Sequence, residues 1–201
     1  VFNFLKRVTL FTVATVTSEN VKLQALPLGG DALGDGRRVT AVINRELERI
    51  FELGEIGGLI REYARNAAVD GDGCMYTYWD PEAETGQAAK GAIVTEIVEN
   101  TRVFFGNPND RRVQKQPYII IEKLCLPEDV KKLAERAGAD PELIVPDGGE
   151  RQLSFAEQAS DSDRVTVLMY FYRDAKTGKV RCCECTRSVF LGDRDLGLSL
   201  Y

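Results

Sequence analysis

Three cysteines near the C-terminal end are the residues best suited to metal chemistry in this sequence. Cys182, Cys183 and Cys185 lie close together, and cysteine thiolates are preferred ligands of zinc. The segment favours a β-strand, in which Cys183 and Cys185 point to one face and Cys182 to the other. Because three thiolates could converge only at a bulge, the pattern favours free thiols over a zinc site.

Acidic residues in two glycine-rich loops could bind a hard cation. Asp31 and Asp35 belong to the first loop, Asp70 and Asp72 to the second, and Asp80 follows the next predicted strand. Neither loop has the EF-hand spacing that ends in a glutamate at the twelfth position. Turn formation therefore explains these acids better than calcium binding, and an Asp/Glu metal-dependent hydrolase built on Asp70, Asp72 and Asp80 is the less favoured alternative.

Several classes of catalytic site are excluded by composition and motif. The sequence contains no histidine, which rules out Ser-His-Asp and Cys-His catalysis and histidine metal ligands within this chain. Gly71-Asp72-Gly73 precedes a strand instead of a helix, and no Gly-Lys-Ser or Gly-Lys-Thr follows it, so a phosphate-binding loop is unsupported. We expect no catalytic residue, no bound metal and no cofactor.

One local basic cluster could contact a phosphate or an acidic partner. Arg111, Arg112 and Lys115 follow a turn-forming stretch at residues 107–110, and clustered cations attract anions. A solvated loop is the alternative interpretation. The net charge of −5 and the pI of about 5.0 provide no extended basic field for DNA phosphates. The sequence thus argues against a tight, sequence-specific DNA binder, but leaves open a protein past which DNA slides.

The composition is ordinary for a folded soluble protein, with 44% hydrophobic and 28% charged residues among 201. The five cysteines are odd in number and lack a scaffold-like spacing, so we expect free thiols in a reducing cytoplasm. No apolar run approaches the roughly 18 residues that a membrane span requires, and no signal peptide is indicated. Because the chain begins with Val1 and ends in an apolar stretch, we expect it to be a piece of a longer protein.

A long amphipathic pattern over residues 37–70 is the element around which the other segments are arranged. Its apolar residues recur at the i, i+3, i+4 and i+7 spacing of one buried helical face. The glycine turn Gly71-Asp72-Gly73 should end this helix, and the aromatic run at residues 74–79 should form a strand. The apolar residues are Val39, Val42, Ile43, Leu47, Ile50, Phe51, Ile56, Leu59, Ile60, Tyr63 and Ala67.

The remaining elements follow from periodicity and turn residues. Residues 1–19 predict a helix, residues 21–28 alternate like a strand, and glycines at residues 29–36 predict a hinge loop. A second, shorter helix should begin at Pro127 and end at Gly138. Antiparallel strands or hairpins are predicted at residues 92–98, 100–105, 118–122, 165–173 and 180–189.

These elements predict an α+β fold, in which a long helix accompanies antiparallel β-hairpins or a meander and a second, shorter helix packs on the sheet. We expect a single domain overall. Within it, residues 1–36 would form an N-terminal helix, strand and hinge loop, and residues 37–201 the main α+β domain.

The order of these segments resembles the portal proteins of siphophage-type tailed bacteriophages and prophages. The resemblance covers most of the chain and is clearest from Arg37 onward. Its motifs are structural and include no catalytic signature. They are the helix ending REYARNAAVDGDG, the segment CMYTYWDPEAETGQ, the stretch AIVTEIVENTRVFFGNPND, the stretch QPYIIIEKLCLPEDVKKLAERAG and the hairpin VTVLMYFYRDAKTGKVRCCECTRSVFL.

This resemblance implies a structural protein without enzymatic activity. Portals form rings, usually of twelve subunits, at one capsid vertex, through which double-stranded DNA is packaged and ejected. The implied partners are further copies of the chain, terminase, scaffold or capsid proteins and connector proteins, and the implied location is the virion after synthesis in the bacterial cytoplasm. No membrane association is implied. The chain would be the N-terminal, wing-like part, with the stem and clip lying beyond Tyr201.

Two expectations for self-association separate the main alternatives. A portal fragment without its stem should be a monomer or a weak oligomer, because closure of a large ring needs the missing interfaces. The alternative is a cytosolic protein-interaction module whose long helix packs against a partner helix. That alternative predicts a stable dimer or heterodimer of the 201-residue chain.

Overall fold

The computed structural model describes residues 3–19, 21–27, 35–86, 90–147 and 163–201. Its helices and two antiparallel sheets confirm the predicted α+β class. The chain divides into two compact units, Val1–Asn100 and Thr101–Tyr201, here named the N-terminal unit and the C-terminal unit. This division lies at a different place from the predicted boundary after residue 36, and the predicted single-domain organisation stays a prediction.

The first helix, α1, spans Phe4–Val16 and confirms the helix predicted within residues 1–19. The side chain of Asn3 caps it by accepting a hydrogen bond of 3.0 Å from the backbone N–H of Lys6. Such a cap satisfies a donor that the first helical turn leaves without a partner.

The strand-like pattern at residues 21–28 does not produce a strand. Residues 21–27 have no regular secondary structure. Their backbone is bonded instead to a helical side chain, because Asn44 Oδ1 accepts from the N–H of Ala25 at 2.7 Å and Asn44 Nδ2 donates to the Ala25 carbonyl at 3.3 Å. Most of the predicted hinge loop, namely residues 29–34, lies outside the described residues.

The predicted single helix over residues 37–70 is wrong, since two helices occupy this segment. They are α2, Asp35–Leu53, and α3, Ile56–Asp70. Glu55 adopts a left-handed conformation with φ of 48°, which ends the regular hydrogen-bond ladder of α2. The apolar spacing continues from Leu53 to Ile56, so the periodicity did not reveal the break.

A two-stranded antiparallel hairpin completes the N-terminal unit. Strand β1 spans Cys74–Asp80 and strand β2 spans Ala92–Val98, as predicted. Gly71 ends α3 with φ of 87°, which confirms the predicted glycine stop. At the centre of the hairpin the hydroxyls of Thr77 and Thr95 lie 3.0 Å apart, a cross-strand pair that fixes the register.

The C-terminal unit contains a five-stranded antiparallel sheet in the order β3-β4-β5-β6-β7. Strand β4 and the β5–β6 hairpin confirm predicted elements. The strands are β3 (Val103–Phe105), β4 (Tyr118–Cys125), β5 (Val165–Arg173), β6 (Val180–Cys185) and β7 (Phe190–Asp195).

Two strand predictions in this unit need correction. The strand predicted at residues 100–105 begins only at Val103, because Asn100–Arg102 forms a 3-10 turn. The strand predicted at residues 180–189 ends at Cys185. Thr186 then makes a tight turn in which its N–H donates to the Val189 carbonyl at 2.8 Å and its hydroxyl accepts from the Val189 N–H at 3.0 Å. This turn leads into β7, which the sequence reading did not predict.

The fourth helix, α4, spans Pro127–Arg136 and confirms the shorter helix packed on the sheet. Val130 and Ala134, one turn apart, are fully buried in a core shared with strand residues. Gly138 follows with φ of 72°, close to the predicted end. The core consists of Val130, Ala134, Ile144, Val165, Val167, Val189 and Leu191.

Candidate functional site

The predicted basic cluster lies on one loop of the C-terminal unit, between β3 and β4. Arg112 is already paired there, because its Nε donates to Asp110 Oδ1 at 2.8 Å and its Nη2 donates to Asp110 Oδ2 at 2.7 Å. These side-chain bonds, together with one from the Arg112 backbone N–H, lower the pKa of Asp110 to about 2. With Arg111 and Lys115 included, this stretch keeps more positive than negative charges.

A buried glutamine holds this basic loop in place. Gln116 is only 4% exposed, and its Oε1 accepts a hydrogen bond of 2.9 Å from the N–H of Asn107. Its Nε2 donates to the carbonyls of Asn107 and Asp110. The loop is therefore a formed structure that presents its cations outward. Sequence reasoning missed Gln116, because nothing in its neighbours signals a buried amide.

A contact between Arg111, Arg112 or Lys115 and a phosphate or acidic partner stays a prediction. Because Asp110 already satisfies the Arg112 guanidinium, an anion meeting this loop would compete with an internal carboxylate for that side chain. The loop could therefore support a weak, non-specific anion contact better than a tight site.

The three clustered cysteines are placed as the alternation of a strand predicts. Cys182 is fully buried opposite Phe171, whereas Cys183 pairs with Tyr170 and shares the other face with Cys185. Burial raises the pKa of Cys182 to about 12, so the thiol keeps its proton at neutral pH. None of the five cysteines, all of which lie in the described ranges, forms a disulfide bond.

The acids proposed for a hydrolase are spread along the hairpin. Asp70 ends α3 and Asp72 lies in the turn before β1, whereas Asp80 ends β1 at its opposite end. A seven-residue strand spans about 20 Å. Asp80 Oδ1 instead accepts from the N–H of Glu82 at 3.0 Å. In the described ranges, no three or more Cys, Asp or Glu side chains are arranged to hold a metal ion.

Asp35 and Asp31 complete the set of candidate acids. Asp35 is the first residue of α2, whereas Asp31 lies outside the described residues.

The N-terminal unit exposes much of its apolar surface. Among its described residues only Ile56 and Val98 are buried hydrophobic residues. The helical face predicted to be buried is exposed along α2, where Val39, Val42 and Ile43 keep 57%, 69% and 44% of their surface in contact with solvent. That part of the prediction is wrong, because periodicity identifies an apolar face without identifying what covers it. On α1 the large apolar residues that are exposed are Phe4, Leu5, Val8, Leu10, Phe11 and Val16.

The outer face of the β1–β2 hairpin is a further exposed apolar surface of the N-terminal unit. Trp79 is 60% exposed, and Met75 and Ile93 lie on the same face. A side chain at Gly91 would place its Cβ only 2.2 Å from Trp79 Cζ2, so the indole lies directly against the glycine backbone. Aromatic and methionine side chains exposed in this way are typical of protein interfaces.

None of the described helices is both long and apolar enough to cross a membrane. Comparison of the chain with models of known families and with curated proteins finds no match. The resemblance of the segment order to portal proteins stays a prediction. The exposed apolar surface of the N-terminal unit is the feature with the clearest functional implication.

Proposed function

We propose that this chain is an assembly protein, and specifically part of a portal protein of a tailed bacteriophage or prophage. The observation that supports an assembly role is the exposed apolar surface of α1, α2 and the β1–β2 hairpin in the N-terminal unit. The portal assignment itself rests on the segment order from Arg37 onward.

The energetic argument starts from the cost of exposed apolar side chains. Full burial of one large aliphatic or aromatic side chain contributes about 1.5–3 kcal/mol relative to leaving it in water. Phe4, Leu5 and Phe11 on α1 are each more than half exposed. Association with another protein surface would recover that stabilisation, and extended apolar patches on soluble proteins mark such surfaces.

The charge distribution is compatible with passage of DNA. Each phosphate neutralised by Lys or Arg adds affinity that is independent of base sequence and slows sliding. The chain carries a net charge of −5, and Arg112 on its basic loop is paired with Asp110. Such a surface would let double-stranded DNA move past with few attachments.

In this proposal the chain acts without catalysis, metal or cofactor. Its full-length parent assembles with itself into a ring, with the twelve subunits that are usual for portals. Its other partners are terminase, scaffold or capsid proteins and connector proteins. It resides at the portal vertex of the virion after synthesis in the bacterial host cytoplasm.

Electron microscopy of the purified full-length parent tests the portal assignment. Class averages should show a closed ring with a central channel wide enough for double-stranded DNA. The matched control is the parent carrying Phe11→Asp, which places a charge on exposed α1 and should reduce the fraction of rings. A parent that stays strictly monomeric under assembly conditions would contradict the proposal.

A cytosolic protein-interaction module is the second candidate. It is favoured by one observation, the exposed apolar residues Val39, Val42 and Ile43 on α2, which could receive a partner helix. This candidate expects no ring from the full-length parent, together with a stable dimer or heterodimer. The same microscopy, combined with sedimentation, separates the two candidates.

A further inference from the structure

Residues 196–201, here named the strap, follow β7 in the C-terminal unit and have no regular secondary structure. The start of the strap is bonded to the first residue of β6. The N–H of Leu196 donates to the Val180 carbonyl at 3.0 Å, and the N–H of Val180 donates to the Leu198 carbonyl at 2.8 Å. The strap is therefore attached to the sheet at one end of β6.

The other end of the strap is held at Tyr201, through both its backbone and its side chain. Gln114 Nε2 donates to the backbone oxygen of Tyr201 at 2.9 Å, and Gln114 Oε1 accepts from the Tyr201 N–H at 3.1 Å. The Tyr201 hydroxyl donates to the Pro117 carbonyl at 3.1 Å. The guanidinium carbon of Arg173 lies 5.4 Å from the centre of the ring, which is a cation–π distance. Four separate contacts thus fix this one residue.

Between these two attachments the strap crosses the ends of three neighbouring strands. Arg173 is the last residue of β5 and pairs with Val180 of β6, and Pro117 directly precedes β4. Because neighbouring strands lie about 4.8 Å apart, β6 and β4 are separated by about 10 Å. Three extended residues also span about 10 Å, and three residues lead from Leu198 to Tyr201. The strap therefore has little spare length.

The residue that holds Tyr201 belongs to the basic loop between β3 and β4. Gln114 is the middle residue of the 3-10 turn Val113–Lys115, which is closed by a hydrogen bond of 3.0 Å from the Lys115 N–H to the Arg112 carbonyl. Such short turns have poor hydrogen-bond geometry and little stability of their own. Gln116 holds the loop from the inside, at residues 107 and 110, and Gln114 connects it to the strap.

We propose that the strap controls the opening of the basic loop. With Tyr201 bound to Gln114, the 3-10 turn stays closed and the cations of Arg111, Arg112 and Lys115 keep fixed positions. Release of Tyr201 allows the turn to open. The two segments are 87 residues apart in sequence, so this coupling passes through the docked tyrosine. The inference goes beyond the proposed function, because it concerns the C-terminal unit alone and requires no ring.

Hydrogen exchange in the 201-residue chain, followed at single amides by NMR, tests the proposal. The amides of Lys115 and Gln116 report on the 3-10 turn, because they donate to backbone carbonyls within it. Gln114→Met removes both bonds to the Tyr201 backbone, whereas Tyr201→Ala removes the ring and the hydroxyl. Each variant should speed exchange of the two reporter amides by about tenfold, the factor expected for the loss of one or two hydrogen bonds.

The double variant, Gln114→Met with Tyr201→Ala, shows whether the two residues act through one contact. If docking of Tyr201 on Gln114 closes the turn, either substitution alone already removes that effect. The double variant should therefore exchange at about the rate of the faster single variant. Two independent local effects would instead multiply, and a rate equal to the product of the two accelerations would overturn the proposal.

Leu200→Ala is the matched control, since it shortens a strap side chain that is 61% exposed. It should leave exchange at Lys115 and Gln116 unchanged. The amide of Phe171, in the central strand β5, reports on opening of the sheet and should keep its rate in all variants. Unchanged exchange of the reporter amides in Gln114→Met and Tyr201→Ala, or an equal acceleration at Phe171, would overturn the proposal. The portal assignment fails separately, through the absence of rings from the full-length parent.

Discussion

Of the fifteen buried apolar residues in the described part of the chain, thirteen belong to the C-terminal unit and two to the N-terminal unit. The units are nearly equal in length, so chain length does not explain the difference. In the C-terminal unit a five-stranded sheet and α4 enclose a core around Val130 and Val165. In the N-terminal unit, helices and a two-stranded hairpin leave similar residues in water. One unit is stabilised by its own interior, whereas the other has apolar surface available for a neighbour.

The two units also differ in net charge. The N-terminal unit has ten basic and fifteen acidic residues, and the C-terminal unit has sixteen of each, so the whole net charge of −5 arises in the N-terminal unit. The same unit therefore combines exposed apolar residues with excess acid. That combination suits contact with another protein better than contact with DNA phosphates.

The largest expected difference is in thiol reactivity. The pKa of Cys182 is raised to about 12, so at pH 8 it has about a thousandfold less thiolate than an ordinary thiol. Iodoacetamide should label Cys182 at least that much more slowly than a small-molecule thiol. Cys74, half-buried in the N-terminal unit, should react faster than Cys182, as measured by mass spectrometry. In denaturant the labelling rates of Cys74 and Cys182 should become similar. Equal labelling rates in the native protein would contradict the burial of Cys182.

A pair of identical substitutions compares a buried valine of the C-terminal unit with an exposed valine of the N-terminal unit. Val130→Ala deletes two methyl groups from the core and should lower the free energy of unfolding by about 2–3 kcal/mol. Val42→Ala makes the same change on an exposed helical site and should alter it by about 0.5 kcal/mol or less. Both sites are helical, so helix propensity cancels. Urea unfolding followed by circular dichroism, at concentrations that favour monomer, measures both. An equal loss of unfolding free energy in the two variants would contradict the difference in burial between Val130 and Val42.

Two glycines test the packing of the hairpin. Gly91 and Gly86 both have positive φ, of 109° and 74°, but only Gly91 lies against Trp79. Alanine at either site costs about 1 kcal/mol of backbone strain. Gly91→Ala should cost about 1 kcal/mol more, because the indole must move. Trp79 is the only tryptophan, so its emission should shift for Gly91→Ala and not for Gly86→Ala. An unchanged emission spectrum in both variants would contradict the contact.

The smallest expected effect is a change in one titration. The pKa of Asp110 is held at about 2 in the folded chain, mainly by the side chain of Arg112. A lowered pKa stabilises the fold above the unfolded value of about 3.9, and this stabilisation is lost as pH falls from there through about 2. Arg112→Ala should raise the pKa, although the backbone N–H of residue 112 still donates. Carboxyl titration by NMR measures the shift. Lys115→Ala is the control and should change the pKa of Asp110 little. A larger change in that pKa for Lys115→Ala than for Arg112→Ala would be inconsistent with the pairing of Arg112 and Asp110.

Much of the fold could be predicted from local sequence, because hairpins and capped helices are specified by nearby residues. Gly71 and Gly138 marked helix ends correctly, and the polar turn at residues 174–179 marked the β5–β6 hairpin. The break at Glu55 could not be predicted, since glutamate favours helices and the apolar spacing continues past it. Strand β7 was missed because Gly192 and its charged neighbours have low strand propensity.

The candidate surfaces were less predictable than the fold. The apolar face of α2 was recognised, but its exposure depends on which elements pack against it, and that is a property of tertiary structure. The basic residues Arg111, Arg112 and Lys115 were visible as a cluster. The pairing of Arg112 with Asp110 was not deduced from the sequence, although the two residues are only two positions apart.

The side-chain amide of Gln116 affects the entropy cost of binding an anion at the basic loop between β3 and β4. A loop that becomes ordered only on binding loses conformational entropy at that moment, at about 1–2 kcal/mol for each residue fixed. Here the backbone of Asn107 and Asp110 is already held by hydrogen bonds to the Gln116 side chain. An incoming phosphate or carboxylate would therefore meet a preorganised cation, and replacing Gln116 with a residue that cannot donate would weaken that encounter without removing a single positive charge.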